Sequence, residues 1–324
     1  MIASKESKIH SKSRTYARRL EGIFKILFGF SALTVGLIIP TLIFIILIAE
    51  SRLIIEKQGI LKFIIGREWD PVNENFGALP LIVGTLISTF LSMLLSTPIA
   101  IGVSIFIVEI APKWAKEIVA QALDLLGIIP SIIYGMWGFL VLAPFMAKYI
   151  EPFLQNLFKD IPILNKLTEG IPTGVDVLTT GLVLSLMIMP FMSSILRETF
   201  EMVDNTVKES AYALGATKWE VISSVVIRSS VPGIVGGFII SLGRAIGETM
   251  AVAFVAGNKP EIPKSLLDAF ATITVALANQ FTEADTDIYL SALYGLAMIL
   301  FLTSFVLLLV AKSILYRMKG KWGG

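Results

Sequence analysis

Six apolar runs separated by polar segments set the rhythm of this chain. They fall at about residues 26–49, 78–107, 118–146, 177–196, 233–257 and 288–311. At about 1.5 Å of rise per residue, each is long enough to cross a bilayer as a helix. Only helices and closed barrels satisfy every backbone polar group inside lipid. The pattern therefore predicts an all-α integral membrane protein with six transmembrane helices. Prolines sit within the first four runs, at Pro40, Pro98, Pro130 and Pro190. The third run reads L-G-I-I-P-S-I-I-Y-G-M-W-G, in which Gly127, Pro130 and Gly135 all weaken a continuous helix. Broken backbone at membrane depth is tolerated only against protein or a water-filled cavity. This helix either lines a path, with Ser131 and Tyr134 as its polar contacts, or carries a plain proline kink packed on its neighbours.

Composition agrees with the pattern. Of 324 residues, 55% are hydrophobic and 16% charged, and the mean hydropathy of +0.79 lies outside the soluble range. A net charge of +2 is too small to imply a nucleic-acid partner, which leaves membrane lipid as the surroundings. The absence of cysteine excludes disulfides, cysteine-ligated zinc and iron-sulfur clusters. The single histidine, His10, lies in a polar tail, so neither a histidine metal site nor a histidine triad is expected. No G-x-x-x-x-G-K-[ST] occurs, so ATP, if used, is bound by another chain. Carboxylates are present, but no credible set of nucleophile, base and metal ligands accompanies them. The expectation is a non-catalytic membrane protein with no cofactor, no metal and no catalytic residue of its own.

Lysines and arginines set the orientation. The N-terminal arm, residues 1–25, is polar and basic, and the first apolar run is too long for a signal peptide, so it reads as a retained helix. Six crossings place both termini on one side. The two tails and the two loops on that side carry 17 of the 27 basic residues, the other three loops carry 9, and Arg244 lies within a run. The positive-inside rule then makes both termini, the tail 312–324 and the loop 197–231 cytoplasmic.

That loop carries helix punctuation. Asp204 or Thr206 can cap a short helix through K-E-S-A-Y-A-L, and Gly215 suits its left-handed end. Thr217 to Glu220 forms a capping box that opens a second helix toward Ile227. Two short helices around a glycine turn make a compact knob, and Ala211, Ala213 and Ala216 let it sit closely in a partner's groove. Capping of the bundle alone is the other reading of the same spacing.

Inside the fifth run stand Arg244 and Glu248, four residues apart and so on one face if the helix is continuous. A charge at mid-membrane costs about 2.5–3.5 kcal/mol on insertion scales. The pair therefore marks either a structural salt bridge or an ion path. Gly243, Gly247 and Ala251 form a small-residue row suited to close helix packing. Thr249 is a weaker candidate, since hydroxyls in membrane helices commonly bond their own backbone.

Two resemblances build on these residues. Glu209 to Gly215, E-S-A-x-x-x-G, resembles the loop by which permeases of binding-protein-dependent ABC importers dock onto their ATPase, with Ser210 in place of its second alanine. Ser241 to Asn258, S-L-G-R-A-I-G-E-T-M-A-V-A-F-V-A-G-N, is similar to the PstC-type permeases of phosphate-specific ABC importers. Trp69 to Leu86, Phe106 to Pro112 and Ile129 to Gly138 share that similarity, and the matches are spread over residues 69–316, most of the chain. The resemblance implies a type I ABC importer permease with a cytoplasmic coupling-helix loop, its permease core at 78–311. It implies a substrate pathway through Arg244 and Glu248, with Thr249 and Ser131 beside it, and ATPase coupling through Glu209, Ala211, Gly215 and Ala216. The implied partners are a homologous second permease in a heterodimer, an ATPase dimer that holds ATP with Mg, and an external phosphate-binding protein, in the cytoplasmic (inner) membrane of a prokaryote. Sulfate, molybdate and tungstate stay open as rival oxyanions, and an ATP-independent secondary transporter as a rival mechanism.

Overall fold

The computed structural model describes residues 22 and 24–322, with 315 and 317–322 as backbone alone. Most of the arm 1–25, and the side chains of Arg317, Lys319 and Lys321 in the tail, lie outside what is described. The chain enters through α1 (Phe24–Glu50), then two short helices, α2 (Arg52–Gln58) and α3 (Ile60–Ile65). An antiparallel hairpin follows, β1 (Trp69–Asp70) on β2 (Asn75–Phe76), with Trp69 opposite Phe76. Next come α4 (Leu79–Ile110), α5 (Lys113–Ile128), α6 (Ser131–Phe158), α7 (Pro162–Leu167) and α8 (Val177–Glu201). The remainder is α9 (Asn205–Ala213), α10 (Lys218–Ile246), α11 (Met250–Val255), α12 (Ile273–Gln280) and α13 (Asp287–Trp322). Among the described residues α1, α4, α6, α8, α10 and α13 are the six helices long and apolar enough to cross a membrane.

Helix α4 is the spine. Gly84, Ser88, Ser92, Ser96, Ala100 and Ser104 recur every four residues along it and are all buried. Such a row of small side chains lets a neighbouring backbone approach closely: Gly84 lies against the Ala271 backbone, and α4 packs along α8. The hydroxyls turn inward: Ser88 donates to the Gly84 carbonyl at 2.8 Å, while Ser104 reaches both Ala100 and, across to α8, the Ser193 carbonyl at 2.9 Å. Apolar packing follows the spine in three tiers. One gathers Phe63, Trp69, Phe76, Leu81 and Tyr289; a middle tier holds Met93, Leu184, Ala245 and Phe270; the last holds Ala100, Met192, Phe200, Ile222 and Val226.

Two expected runs take a different course. The run at 118–146 is two helices: α5, with Ala115 and Leu123 as its buried residues, and α6, which starts at Ser131 and continues to Phe158. Proline disfavours helical backbone at the residue before it, and Ile129 and Pro130 are extended with ψ of 126° and 140°. Lys113, Lys116, Glu117, Gln121 and Asp124 make α5 too polar to cross lipid. Pro144 and Pro152 fail to end α6 because widened, π-helical turns at Gly138–Leu142 and Met146–Ile150 precede them. The run at 233–257 is also displaced. Its helix, α10, begins at Lys218 and stops at Ile246, the chain unwinds over Gly247 to Thr249, and α11 resumes the course.

Contacts sort the connections into two ends. At the hairpin end, Ser291 donates to the Glu50 carbonyl at 2.7 Å and accepts the Ile54 N–H, while Val177 N–H reaches the Asp268 carbonyl. At the opposite end, ion pairs join α4, α5, α8 and α9: Lys208 to Glu109, Lys116 to Glu201 and Arg197 to Asp124.

Candidate functional site

The knob forms as the punctuation predicts at its start. Asp204 caps α9 by accepting the Thr206 N–H at 2.8 Å, and that bond holds its carboxyl below the usual carboxylate range. After Ala213 the chain turns at Gly215, whose φ of +87° lies in the left-handed region that favours glycine. Thr217 and Glu220 close a reciprocal capping box, with the Thr217 N–H donating to the Glu220 carboxylate at 2.7 Å. The second helix of the knob differs from expectation. It does not stop near Ile227 but runs on through a widened turn, Val221–Ile227, as the body of α10. Residues that open at the knob therefore share one rod with Arg244. Glu209 and Gly215 are exposed, Ala211 and Ala216 half-buried, and the apolar Leu214 is 90% exposed at the tip.

Arg244 lies in the last turn of α10, immediately before the break. Its guanidinium carbon stands 5.0 Å from the ring centre of Phe191 on α8, a cation–π distance. Its Nε is buried without an acceptor. Glu248 does not pair with it: among the described residues no ion pair joins the two, because Gly247 ends the helix and the four-residue register is lost. Instead the Glu248 carboxylate accepts the Ala251 N–H at 3.1 Å at the start of α11. The Glu248 carbonyl, freed by the break, accepts a 2.8 Å bond from the Thr274 hydroxyl, which lies 3.0 Å from that of Thr272. Thr249 directs its hydroxyl to the Gly247 carbonyl at 3.4 Å, its own backbone.

Ser131 opens α6 one turn before Gly135, and Gly135 is buried against Ala251 of α11. The start of α6 and the break after α10 thus adjoin. Tyr134 donates to the Leu126 carbonyl at 2.9 Å, so its hydroxyl bridges the Ile129–Pro130 interruption. The small-residue row behaves differently from expectation: a Cβ on Gly243 would meet nothing within 4 Å, and the break separates Gly243 from Ala251. Phe191, Thr272 and Thr274 escaped the sequence reading. Thr272 left a trace as the cap of α12, accepting the Val275 N–H at 3.3 Å; Phe191 left none, since only tertiary packing sets it beside Arg244.

The site offers a permanent cation with donor capacity to spare, set at an unwound turn between two helical pieces whose carboxylate is engaged elsewhere. Arginine's fixed fork matches oxyanions. Among the described residues no group of three or more histidine, aspartate or glutamate side chains could hold a metal.

Residues 77–318 match the family described as binding-protein-dependent transport system inner membrane component. The phosphate transport system permease protein PstC of Xylella fastidiosa is 44% identical over 273 residues, 84% of either chain. Its counterpart in Haemophilus influenzae is 38% identical over 96% of this chain and 99% of its own. Among solved structures, a bacterial alginate ABC transporter in complex with an alginate-bound periplasmic protein covers 94% of this chain at 17% identity and a TM-score of 0.61, which speaks to fold alone. A six-helix body with a broken fifth helix, matched over three-quarters of its length by one family model, identifies this chain as a multi-pass membrane member of the binding-protein-dependent ABC transport permeases.

Proposed function

We propose that this chain is one of two homologous permease subunits of an ATP-driven importer that carries inorganic phosphate across the cytoplasmic membrane. The observation that carries the reading is Arg244, a half-buried guanidinium whose Nε has no acceptor, at a helix break inside the membrane-spanning body. An oxyanion supplies the missing acceptors, and the fixed charge lowers the cost of bringing an anion into low dielectric. The relatives named as phosphate permeases support the choice of ion. Because Glu248 is engaged with Ala251 and Thr274, Arg244 stays available; a shift of the break that swings the carboxylate toward Arg244 would expel the anion. Ser131 and Thr249 lie along the same passage in this reading.

In this reading both termini and the knob are cytoplasmic, which the excess of basic residues on that side supports. There Glu209, Ala211, Gly215 and Ala216 meet an ATPase dimer, which binds and hydrolyses ATP with Mg. An external phosphate-binding protein delivers its load at the hairpin end. The test is uptake of radiolabelled phosphate, sulfate and molybdate by proteoliposomes holding this chain with its partner chains. Phosphate is expected to enter, and Arg244→Gln to slow entry roughly 10- to 100-fold, the worth of charge-assisted hydrogen bonds at about 1.5–3 kcal/mol. Unchanged phosphate uptake by the variant, or uptake with the ATPase left out, overturns the reading; preference for sulfate or molybdate moves it to that ion.

A further inference from the structure

Helix α9 has a weak hold on the body beneath it. None of its residues is buried among the described residues, and its tip is open. Yet from its second turn Lys208 reaches Glu109, in the last turn of α4, at 2.5 Å. The two side chains keep only 13% and 10% of their exposure, whereas the neighbouring pair Lys116–Glu201 keeps 39% and 43%. Exposed pairs contribute little, but removal of one partner from a sheltered pair strands the other charge.

The other end of α4 has a joint as well. Thr85 accepts the Ile273 N–H at 3.0 Å while donating to the Leu81 carbonyl at 2.8 Å. One residue earlier, a Cβ on Gly84 would lie 2.1 Å from the Ala271 carbonyl oxygen, so the two backbones touch there. The segment gripped in this way carries Thr274, whose hydroxyl holds the Glu248 carbonyl at the break beside Arg244. Between Thr85 and Glu109 lies a single helix, about 36 Å at the usual rise.

We propose that α4 is a second rod, beside α10, that couples the knob to the Arg244 site, with Lys208–Glu109 as its lower joint and Thr85–Ile273 as its upper joint. Displacement of α9 draws on Glu109, α4 moves against α8, and the Thr272–Thr274 segment shifts the Glu248 carbonyl. Lys208, Glu109 and Thr85 are positioning residues, since none of them meets the anion. The inference rests on the reading of the knob as the ATPase dock. A contiguous chain of contacts permits coupling without demonstrating it, so the experiment measures coupling itself.

The complete complex, with partner permease, ATPase and binding protein, is reconstituted, and phosphate imported per ATP hydrolysed is recorded. A purely structural lesion lowers import and hydrolysis together and leaves that ratio alone. Lys208→Met and Glu109→Gln are each expected to lower the ratio about 10-fold, within the usual range of coupling between sites, with the ATPase still co-purifying. The exchanged pair Glu109→Lys with Lys208→Glu is expected to restore it to within about threefold. Thr85→Val, which keeps the shape but not the acceptor, is expected to lower it at the far joint. Leu214→Asp at the exposed tip is expected to release the ATPase. If Leu214→Asp releases it while the joint variants keep the wild-type ratio, or the exchange fails to restore a lowered one, the dock stands and the rod falls. If Leu214→Asp leaves the ATPase bound, the dock fails and the rod with it.

Discussion

The two ends of this molecule are built on different principles. At the hairpin end, Phe76 is sandwiched between Trp69 and Tyr289, with ring centres 5.1 and 5.4 Å apart, and Gln280 accepts from both the Trp69 indole and the Tyr289 hydroxyl. At the knob end an apolar tier of Met192, Phe200, Ile222 and Val226 lies beneath, but α9 itself stays on the surface with nothing buried and is tied to α4 by the Lys208–Glu109 pair, while two further ion pairs link α5 to α8. Buried aromatic and hydrogen-bonded contacts fix one geometry; ion pairs between helices permit several. The first end is a clamp and the second a handle.

Substitutions test that contrast. Phe76→Ala is expected to have the largest effect on stability, about 3–5 kcal/mol for a buried phenylalanine, read as the fall in thermal midpoint in detergent. A smaller fall than that of any knob variant would break the comparison. Gln280→Leu follows, at about 1–3 kcal/mol for each donor left bare; unaltered melting would show that the pair of bonds is dispensable. Gly215→Ala forces a side chain into the left-handed region at about 1–2 kcal/mol, yet the expected outcome is local: the midpoint holds while ATPase co-purification declines.

Asp176 sharpens the picture of the clamp. It caps α8 through the Thr179 N–H at 2.8 Å and faces the buried Glu151 carboxyl, and burial raises its pKa above 3.8. A raised acid binds its proton more tightly in the folded state. Its stabilisation is therefore present below pH 3.8 and is lost as pH climbs through the raised value. Asp176→Asn keeps a capping side chain and removes the titration, so the variant's thermal midpoint is expected to vary less with pH. Smallest of all is Lys116→Ala, at about 0.2–1 kcal/mol for an exposed pair, and a loss as large as that of Lys208→Met would erase the distinction between sheltered and open pairs.

Much of the architecture was legible because lipid makes it so: a run of apolar residues long enough to cross has few alternatives, and six runs gave six crossing helices. Arg244 stood out for the same reason, as a charge where charge is costly. The caps at Asp204 and Thr217 were legible because they depend on neighbours two or three residues away. What stayed hidden depends on distant chain. That Gly247 ends a helix, where Gly243 and Gly236 in the same helix do not, follows from Thr274 and Ala251 standing ready to take up the backbone and carboxylate of Glu248. Pro130 breaks its helix while Pro190 sits inside α8, a difference set by the polar face of α5 and by packing on α8. The link between Lys208 and Glu109 spans 99 positions, beyond any local pattern.

The widened turn at Val221–Ile227 has a consequence for how α10 is phased. Such a turn holds one residue more than a regular α-helix would over the same rise. Rewinding the same residues as regular α-helix, with none removed, would swing the knob by about 100° around the axis relative to Arg244. Angular registry between the knob and Arg244 is thus stored in how one supernumerary residue is wound.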